Sequence, residues 1–210
     1  MRVILCVFFG WAVAVSTAQA QSNFSFEGTF LTDDQVQLFN FTLTSDATVT
    51  FQSWGYGGGT NAAGTVIPPG GFDSLFSWFA PDGSLIGVND DGCGLAGKNH
   101  GACLDAFATP LLPAGTYTLA LTESGNDSLG TGFPGDLSLG FSEQGQGDFT
   151  ANGSCPAFCD KFGNQDNGNW GVDILNVSSA SIPASTPEPV TMLLAAGGLA
   201  LIGLAKRRAS

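Results

Sequence analysis

The sequence predicts an all-β fold, a single antiparallel β-sandwich domain of jelly-roll-like type. Three observations predict it. Short segments alternate apolar and polar residues with the two-residue period of a half-buried strand, Gly- and Pro-containing turns separate these segments, and between the two termini no segment keeps the 3.6-residue period of an amphipathic helix. The chain has 17 phenylalanines among 210 residues, and we expect them to fill the core rather than to form a ligand platform.

Nine candidate strands follow one another through the body of the chain, residues 21–177. Phe24 and Phe26 share one face of the first candidate, and Phe39 and Phe41 share one face of the second. Many short strands separated by such turns favour a sandwich or a jelly roll. The candidate strands are residues 24–28, 39–43, 47–51, 72–79, 84–88, 104–109, 115–122, 137–141 and 170–177.

Residues 1–20 have the three parts of a secretory signal peptide. Arg2 supplies the positive charge, residues 3–15 form an apolar core, and Ala18 and Ala20 are the small residues before the cleavage point. We therefore expect signal peptidase to cleave after Ala20. A retained membrane anchor is the alternative, but the apolar core is shorter than the roughly 20 residues that span a bilayer.

The chain ends in a proline-containing motif, an uncharged segment and a basic cluster. These parts are Pro187, Glu188 and Pro189, then residues 190–205, then residues 206–208. The uncharged segment is long enough for a short transmembrane helix, because the flanking Lys and Arg side chains can snorkel to the interface. The basic cluster should remain in the cytoplasm and leave the body outside. A Ser- and Pro-containing linker, residues 178–186, joins the body to this tail.

This three-part tail, residues 187–210, resembles the PEP-CTERM sorting signal of Gram-negative bacteria. The resemblance implies that an exosortase, a membrane-embedded cysteine protease, processes the chain near the proline-containing motif. It also implies a protein that is anchored transiently in the inner membrane and then reaches the cell surface or extracellular matrix, in species that make exopolysaccharide and form biofilms or flocs. A plain C-terminal membrane anchor is the alternative. A GPI signal is unfavoured, since it normally ends in its hydrophobic tail without a basic cluster.

The charges are distributed unevenly along the chain. The body contains 17 acidic residues and only two basic ones, Lys98 and Lys161. A body this acidic repels phosphate backbones, so we expect no nucleic-acid partner. Catalysis that depends on histidine is poorly served, because His100 is the only histidine.

Four cysteines remain once the signal peptide, which contains Cys6, is removed. An even number of cysteines in an exported chain predicts two disulfides, and counting alone allows three pairings. We favour Cys93–Cys103 and Cys155–Cys159, because each pair closes a small loop within a Gly-rich segment. A redox or zinc pair is the alternative, but the second pair lacks the two-residue spacing of redox cysteines, and zinc thiolates fit an oxidising compartment poorly.

Four motifs follow one another in the middle of the body. They are Asp73, residues 81–83 (Pro-Asp-Gly), residues 89–92 (Asn-Asp-Asp-Gly) and residues 115–117 (Gly-Thr-Tyr). Their order, over roughly residues 72–121, resembles the bacterial pre-peptidase C-terminal type of domain, a small jelly-roll-like β-sandwich of exported proteins. The resemblance implies an accessory module without catalytic activity of its own. The segment between Cys93 and Cys103 and the long segment after Glu123 depart from that pattern.

The acidic turn in this region predicts a calcium site. Calcium binds several carboxylate and carbonyl oxygens on flexible loops, and a divalent cation relieves the repulsion between crowded carboxylates. The expected ligands are Asp73, Asn89, Asp90, Asp91 and Asp105. The alternative is that these residues cap turns or are simply solvated, as Asp and Asn in turns commonly are.

The sequence thus predicts an exported, non-catalytic protein with a structural or adhesive role, and exopolysaccharide is its candidate partner. Trp54 and Tyr56, beside the Gly-rich residues 55–59, could form an exposed patch that stacks on sugar rings. A loop that is anchored in the core by these two side chains is the favoured interpretation.

An extracellular polysaccharide hydrolase is the alternative function. It would need paired carboxylates, either Asp90 with Asp105 or Glu123 with Asp127, but no spacing singles out one pair. A catalytic triad is unfavoured, because His100 lies between two glycines inside the expected disulfide loop and no Gly-x-Ser-x-Gly motif occurs.

Overall fold

The structure is a computed structural model that describes residues 21–130 and 135–184. The expected signal peptide, residues 1–20, and the expected tail, residues 187–210, lie outside these residues. Among the described residues, no helix is long and apolar enough to cross a membrane.

β-Strands and one short 3₁₀ helix make up the regular structure of the described residues. The strands are β1 (Ser22–Thr29), β2 (Gln37–Leu43), β3 (Ala47–Thr48), β4 (Thr50–Ser53), β5 (Gly59–Thr60), β6 (Val66–Ile67), β7 (Ser74–Phe79), β8 (Leu85–Asn89), β9 (Phe107–Ala108), β10 (Leu111–Leu112), β11 (Gly115–Glu123), β12 (Asn169–Val177) and β13 (Ser179–Ser181). The 3₁₀ helix is Leu137–Leu139. All pairings between these strands are antiparallel, so the predicted all-β, antiparallel fold is confirmed.

The strands form two large sheets and two small ones. The first large sheet has the order β1-β12-β4-β9, and the second has the order β13-β2-β11-β7-β8. The small sheets are β10-β3 and β5-β6. Since β1 pairs with β12 and β2 pairs with β13, the two ends of the body must come together before either large sheet is complete.

The alternation of residues in β11 determines how this strand pairs. Tyr117, Leu119 and Leu121 face the core, and Leu119 lies opposite Phe39 of β2 on one side and Trp78 of β7 on the other. A slip by one residue would turn all three apolar side chains away from the core. The apolar pattern therefore specifies this register.

Inward-facing side chains of the two large sheets share one core. The ring of Phe51, in β4 of the first sheet, packs on rings of the second sheet. Its centroid lies 5.4 Å from that of Phe41, 6.2 Å from that of Phe76 and 5.6 Å from that of Trp78. Two sheets packed face to face around such a layer are the arrangement expected of a β-sandwich, and these phenylalanines fill the core as predicted.

The prediction of a strand at residues 137–141 is wrong. Leu137–Leu139 forms the 3₁₀ helix instead, because the side chain of Asp136 caps it by accepting a hydrogen bond from Ser138 N (2.8 Å). Gly140 then ends the helix with a φ of 79°, a left-handed conformation that favours glycine.

The strand predicted at residues 104–109 is shorter than expected. Only Phe107–Ala108 pairs as β9, because the carbonyl of Asp105 accepts hydrogen bonds from Gly92 N (3.1 Å) and Cys93 N (2.8 Å). These donors belong to a loop, so the backbone of Asp105 itself is held by loop contacts, while its neighbours Leu104 and Ala106 accept hydrogen bonds from Ser74 N (3.2 Å) of β7 and Ser53 N (3.0 Å) of β4.

The folded body extends into the segment predicted as a linker, residues 178–186. Ser179–Ser181 forms β13 and pairs with β2. The side chain of Ser178 accepts a hydrogen bond from Thr44 N (3.1 Å). The first residues of the predicted linker therefore belong to the second large sheet.

Candidate functional site

Eight carboxylate side chains are buried among the described residues. Burial removes water from a carboxylate, and its oxygens then need a hydrogen-bond donor, a proton or a cation. The eight residues are Asp33, Asp34, Asp73, Asp105, Glu123, Asp160, Asp166 and Asp173. They fall into two groups. In the first group the carboxylate accepts hydrogen bonds from the protein, and in the second group it has a buried oxygen and no such donor.

Asp105, one of the predicted calcium ligands, accepts hydrogen bonds at both of its oxygens. Oδ1 accepts from Ser53 Oγ (2.8 Å) and Tyr56 N (3.2 Å), and Oδ2 accepts from Gly57 N (2.6 Å). Because Ser53 Oγ lies 2.7 Å from Ser74 Oγ, this network joins β4 of one large sheet to β7 of the other. Burial raises the pKa of Asp105, and these donors oppose the rise. Asp105 thus acts as a structural acceptor.

Asp33 and Asp160 organise loops in the same way. Asp33 accepts hydrogen bonds from Phe149 N (2.7 Å) and Phe158 N (3.2 Å). Asp160 accepts one from Phe162 N (2.9 Å). Each carboxylate gathers backbone N–H groups that no strand satisfies, and this fixes the long segment between β11 and β12.

Trp54 and Tyr56 are buried and anchor their loop in the core, as the favoured interpretation predicts. The alternative prediction, an exposed patch that stacks on sugar rings, is wrong. Tyr56 is fully buried, and its hydroxyl donates to Asp160 Oδ2 (2.9 Å). Trp54 is also buried, and its Nε1 donates to Asp173 Oδ2 (2.9 Å). The Gly-rich loop that carries both side chains is therefore fastened to the body.

Asn89, another predicted calcium ligand, also has a structural partner. Its Oδ1 accepts a hydrogen bond from Phe107 N (2.7 Å). This contact joins the end of β8 in the second large sheet to β9 in the first. Asn89 Oδ1 is thus engaged by the fold in this structure.

The other three predicted ligands, Asp73, Asp90 and Asp91, lie at one end of the second large sheet. Asp73 directly precedes β7, and Asp90 and Asp91 directly follow β8, its antiparallel neighbour. Burial raises the pKa of Asp73 to about 8, and the charges of Asp90 and Asp91 add to the rise. Lys161 opposes it from the surface, where its Nζ lies 2.6 Å from Asp91 Oδ2. The structure brings these four ionisable groups together.

Glu123, which the sequence suggests only as one half of a hydrolase pair with Asp127, lies at the same end of the sheet. It is the last residue of β11 and lies opposite Ser74, which follows Asp73. Burial, followed by the charge of Asp73, raises the pKa of Glu123 well above its usual value. Asp127 is exposed. A signal for Glu123 was available, since the two-residue period places it on the inward face with Leu121.

Asp73 and Glu123 form the second group of buried carboxylates. Asp73 Oδ1 and Glu123 Oε2 are buried without a hydrogen-bond partner among the described residues. Asp34 and Asp166 also have one such oxygen each, but the other oxygen of each accepts hydrogen bonds. Within residues 21–130 and 135–184, no three Asp, Glu, His or Cys side chains are grouped closely enough to hold a metal ion in this structure.

His100 connects the first disulfide loop to the segment before β12. Its Nε2 lies 3.4 Å from Asp166 Oδ1, which also accepts a hydrogen bond from Asn99 Nδ2 (2.7 Å). Burial and the charge of Asp160 raise the pKa of Asp166 to about 6, and His100 and Asn99 oppose the rise. These contacts fasten the loop to the body.

Both predicted disulfides are present, which confirms the favoured pairing. The Cα atoms are 5.6 Å apart in Cys93–Cys103 and 5.9 Å apart in Cys155–Cys159. The first loop is held against β4, because Gln52 Nε2 donates to Cys93 O (3.0 Å). Each disulfide closes one loop and stabilises it.

An open groove of about 320 Å³ is bordered by β1, β6 and the start of β12. Polar side chains line it: Thr29 Oγ1 donates to Asn169 Oδ1 (2.8 Å), and Glu27 Oε1 accepts from Asn61 Nδ2 (2.9 Å). Val66 adds an exposed apolar wall. The groove therefore combines hydrogen-bonding groups with an apolar surface.

Two features of the described residues are suited to binding. The acidic end of the second large sheet offers oxygen ligands to a cation, and the groove offers polar and apolar contacts to a small organic group. Comparison of the chain with protein-family models and with curated proteins finds no match.

In the presence of a chelator, we expect the free energy of unfolding to fall as the pH is raised from about 5 to about 8. Asp73 holds its proton in the folded state up to a pKa of about 8, whereas its ordinary pKa is 3.8. The folded state therefore binds more protons over this window, and stability that is present at low pH is lost as the pH rises through the folded pKa. Asp73→Asn should reduce the slope, by at most about 1.4 kcal/mol per pH unit.

Urea denaturation at each pH measures this slope. Asp127→Asn is the control, because it removes an exposed carboxylate from the loop that follows β11. An identical slope in the parent protein and in Asp73→Asn would contradict the assignment.

Proposed function

We propose that this chain is an exported, non-catalytic protein with a PEP-CTERM sorting signal, and that it has a structural or adhesive role at the cell surface or in the polysaccharide matrix of a biofilm or floc. The observation that carries the proposal is the pair of disulfides in the body. Disulfides form and persist in oxidising compartments outside the cytoplasm. That is where a signal peptide would direct the chain.

The proposed route begins with removal of residues 1–20 by signal peptidase. A helix at residues 190–205 then anchors the protein transiently in the inner membrane, until an exosortase-type enzyme processes the chain near Pro187. β13 ends at Ser181, so only six residue steps of roughly 3.4 Å each separate the folded body from the motif. This tether of about 20 Å at most would keep the body close to the membrane during processing.

We further propose that the sandwich is a single jelly-roll-like accessory domain, as its resemblance to the pre-peptidase C-terminal type implies. The region of resemblance, residues 72–121, contains all or part of five strands. β9 and β10 pair in other sheets, whereas β7, β8 and most of β11 are neighbours in the second large sheet. This adjacency supports the proposal, because a sequence motif that spans three paired strands can correspond to one structural unit.

The groove beside β1 and β12 is the surface that we propose for contact with exopolysaccharide. Sugars present hydroxyl groups and apolar C–H faces together, which suits the polar side chains of Glu27 and Asn169 beside the apolar Val66. Because the acidic body repels anionic polymers, a neutral polysaccharide is the favoured ligand.

A polysaccharide hydrolase is the weaker alternative. Carboxyl groups with raised pKa values, such as those of Asp73 and Glu123, have the property that glycosidases use in a general acid. Both carboxyl groups are buried, however, whereas a general acid must come within hydrogen-bond distance of the glycosidic oxygen. Their burial supports a non-catalytic role.

The intact mass of the protein recovered from the culture medium tests the export route. We expect a chain that begins at Gln21, ends near the motif and has its four remaining cysteines oxidised. Replacing Pro187, Glu188 and Pro189 with alanine should leave the unprocessed chain in the membrane fraction, whereas Pro183→Ala, a change in the linker, should be processed normally. Recovery of the full-length chain from the cytoplasm with free thiols would contradict the route.

Affinity electrophoresis through gels that contain a neutral or an anionic exopolysaccharide tests the adhesive role. We expect the neutral polymer to retard the protein and Asn169→Ala to migrate freely in the same gel. Asn40→Ala is a matched control, because Asn40 is also exposed and also accepts a hydrogen bond from a threonine, but lies on β2 of the other large sheet. Equal mobility of the parent and Asn169→Ala in both gels would contradict polysaccharide binding at the groove, and only the structural role would then remain.

A further inference from the structure

We propose that the end of the second large sheet, where β7 begins and β11 ends, binds a divalent cation, calcium in particular, with Asp73, Asp90 and Glu123 as its ligands. Two unpartnered oxygens point to a ligand there. Asp73 Oδ1 and Glu123 Oε2 have no hydrogen-bond partner in the described part of the chain, and the two residues are only 3% and 1% exposed. This proposal depends neither on the export route nor on contact with polysaccharide.

Three neighbouring strands place these ligands at one end of the sheet. Glu123 of β11 lies opposite Ser74 of β7, and Ser124 N donates to the carbonyl of Asp73 (2.7 Å), so the two buried acids are on adjacent strands. Asp90 follows β8, which pairs with β7 on its other side. After burial, the charge of Asp90 is the largest cause of the raised pKa of Asp73.

The contrast with Asp105 explains why these two carboxylates need a proton or a bound cation. Asp105 is buried as well, but Ser53 Oγ, Tyr56 N and Gly57 N donate to its two oxygens. The unpartnered oxygens of Asp73 and Glu123 meet no such donors. A buried carboxylate in that position must take up a proton or a cation, and one divalent cation can serve several carboxylates at once.

The charges around the site are predominantly negative. The charges that act on the pKa of Asp73 are those of Asp90, Asp91, Asp160 and Lys161. The charges that act on the pKa of Glu123 are those of Asp73, Asp33, Asp166 and Asp160. Lys161 is paired with Asp91, while Asp33 and Asp160 accept hydrogen bonds from loop N–H groups. One surface lysine cannot offset the remaining carboxylates, so the site attracts a cation with two charges.

The ligand atoms favour calcium over zinc and copper. Carboxylate oxygens are hard ligands, and calcium accepts several of them in a flexible geometry, whereas zinc and copper prefer nitrogen and sulfur. Since no three candidate side chains of the described residues are grouped closely enough to hold an ion in this structure, one of them must move. Asp90 can do so because it is exposed. This rearrangement and competition from protons predict weak binding, with a Kd on the order of 10⁻⁴–10⁻³ M.

The melting temperature of the mature protein at about pH 8, after treatment with a chelator, tests the site. Calcium chloride at about a hundredfold excess over Kd should raise it by roughly 5–10 °C, and equilibrium dialysis should find about one calcium ion per chain. Glu123→Gln and Asp73→Asn should each remove the rise. Both are neutral isosteres that remove a buried charge, so both should fold without calcium at least as stably as the parent.

Asp127→Asn, which changes an exposed carboxylate nearby in the sequence, is the matched control and should keep the full rise. The proposal is overturned if the parent shows neither a rise nor a bound ion, or if the rise persists in both Glu123→Gln and Asp73→Asn. An equal rise with magnesium chloride overturns the choice of calcium.

Discussion

Hydrogen bonds from loop N–H groups to buried carboxylates hold much of this structure together. The body contains 17 acidic residues and two basic ones, so few carboxylates can pair with a cationic side chain. Its long Gly-rich loops contain N–H groups that no strand satisfies, and such groups need acceptors when they are buried. Asp33, Asp105 and Asp160 supply these acceptors. A hydrogen bond to a charged group contributes about 1.5–3 kcal/mol, so a few of them suffice to order a loop.

A buried carboxylate needs a hydrogen-bond donor, and this need separates the structural acids from those that lack a donor. Asp105 connects the two large sheets because donors surround both of its oxygens. Asp73 and Glu123 lie at the end of one sheet, where the strands supply no donor to their unpartnered oxygens. Burial alone therefore does not identify a site. Burial together with the lack of a donor distinguishes the place that we propose as a cation site, and the stability of the protein should depend on pH there.

How far the sequence predicts this structure depends on how local the relevant interaction is. The two-residue period located the long strands, and loop closure within Gly-rich segments indicated both disulfides, because each rests on nearby residues. The period failed at residues 137–141, where a local cap overrides it. It could not reveal that Asp33 meets Phe149 N across 116 residues. The two-residue period places Glu123 on the inward face with Leu121, but a carboxylate at an apolar position does not by itself predict burial.

Amide hydrogen exchange tests the central claim most directly. The N–H groups of Gly57, Phe149 and Asn164 lie in loops but donate to buried carboxylates. The account predicts that they exchange as slowly as the paired N–H groups of β11, with opening free energies close to that of global unfolding. Exchange as fast as that of an exposed turn such as Gly153 would contradict it, because the carboxylates would then not be holding the loops.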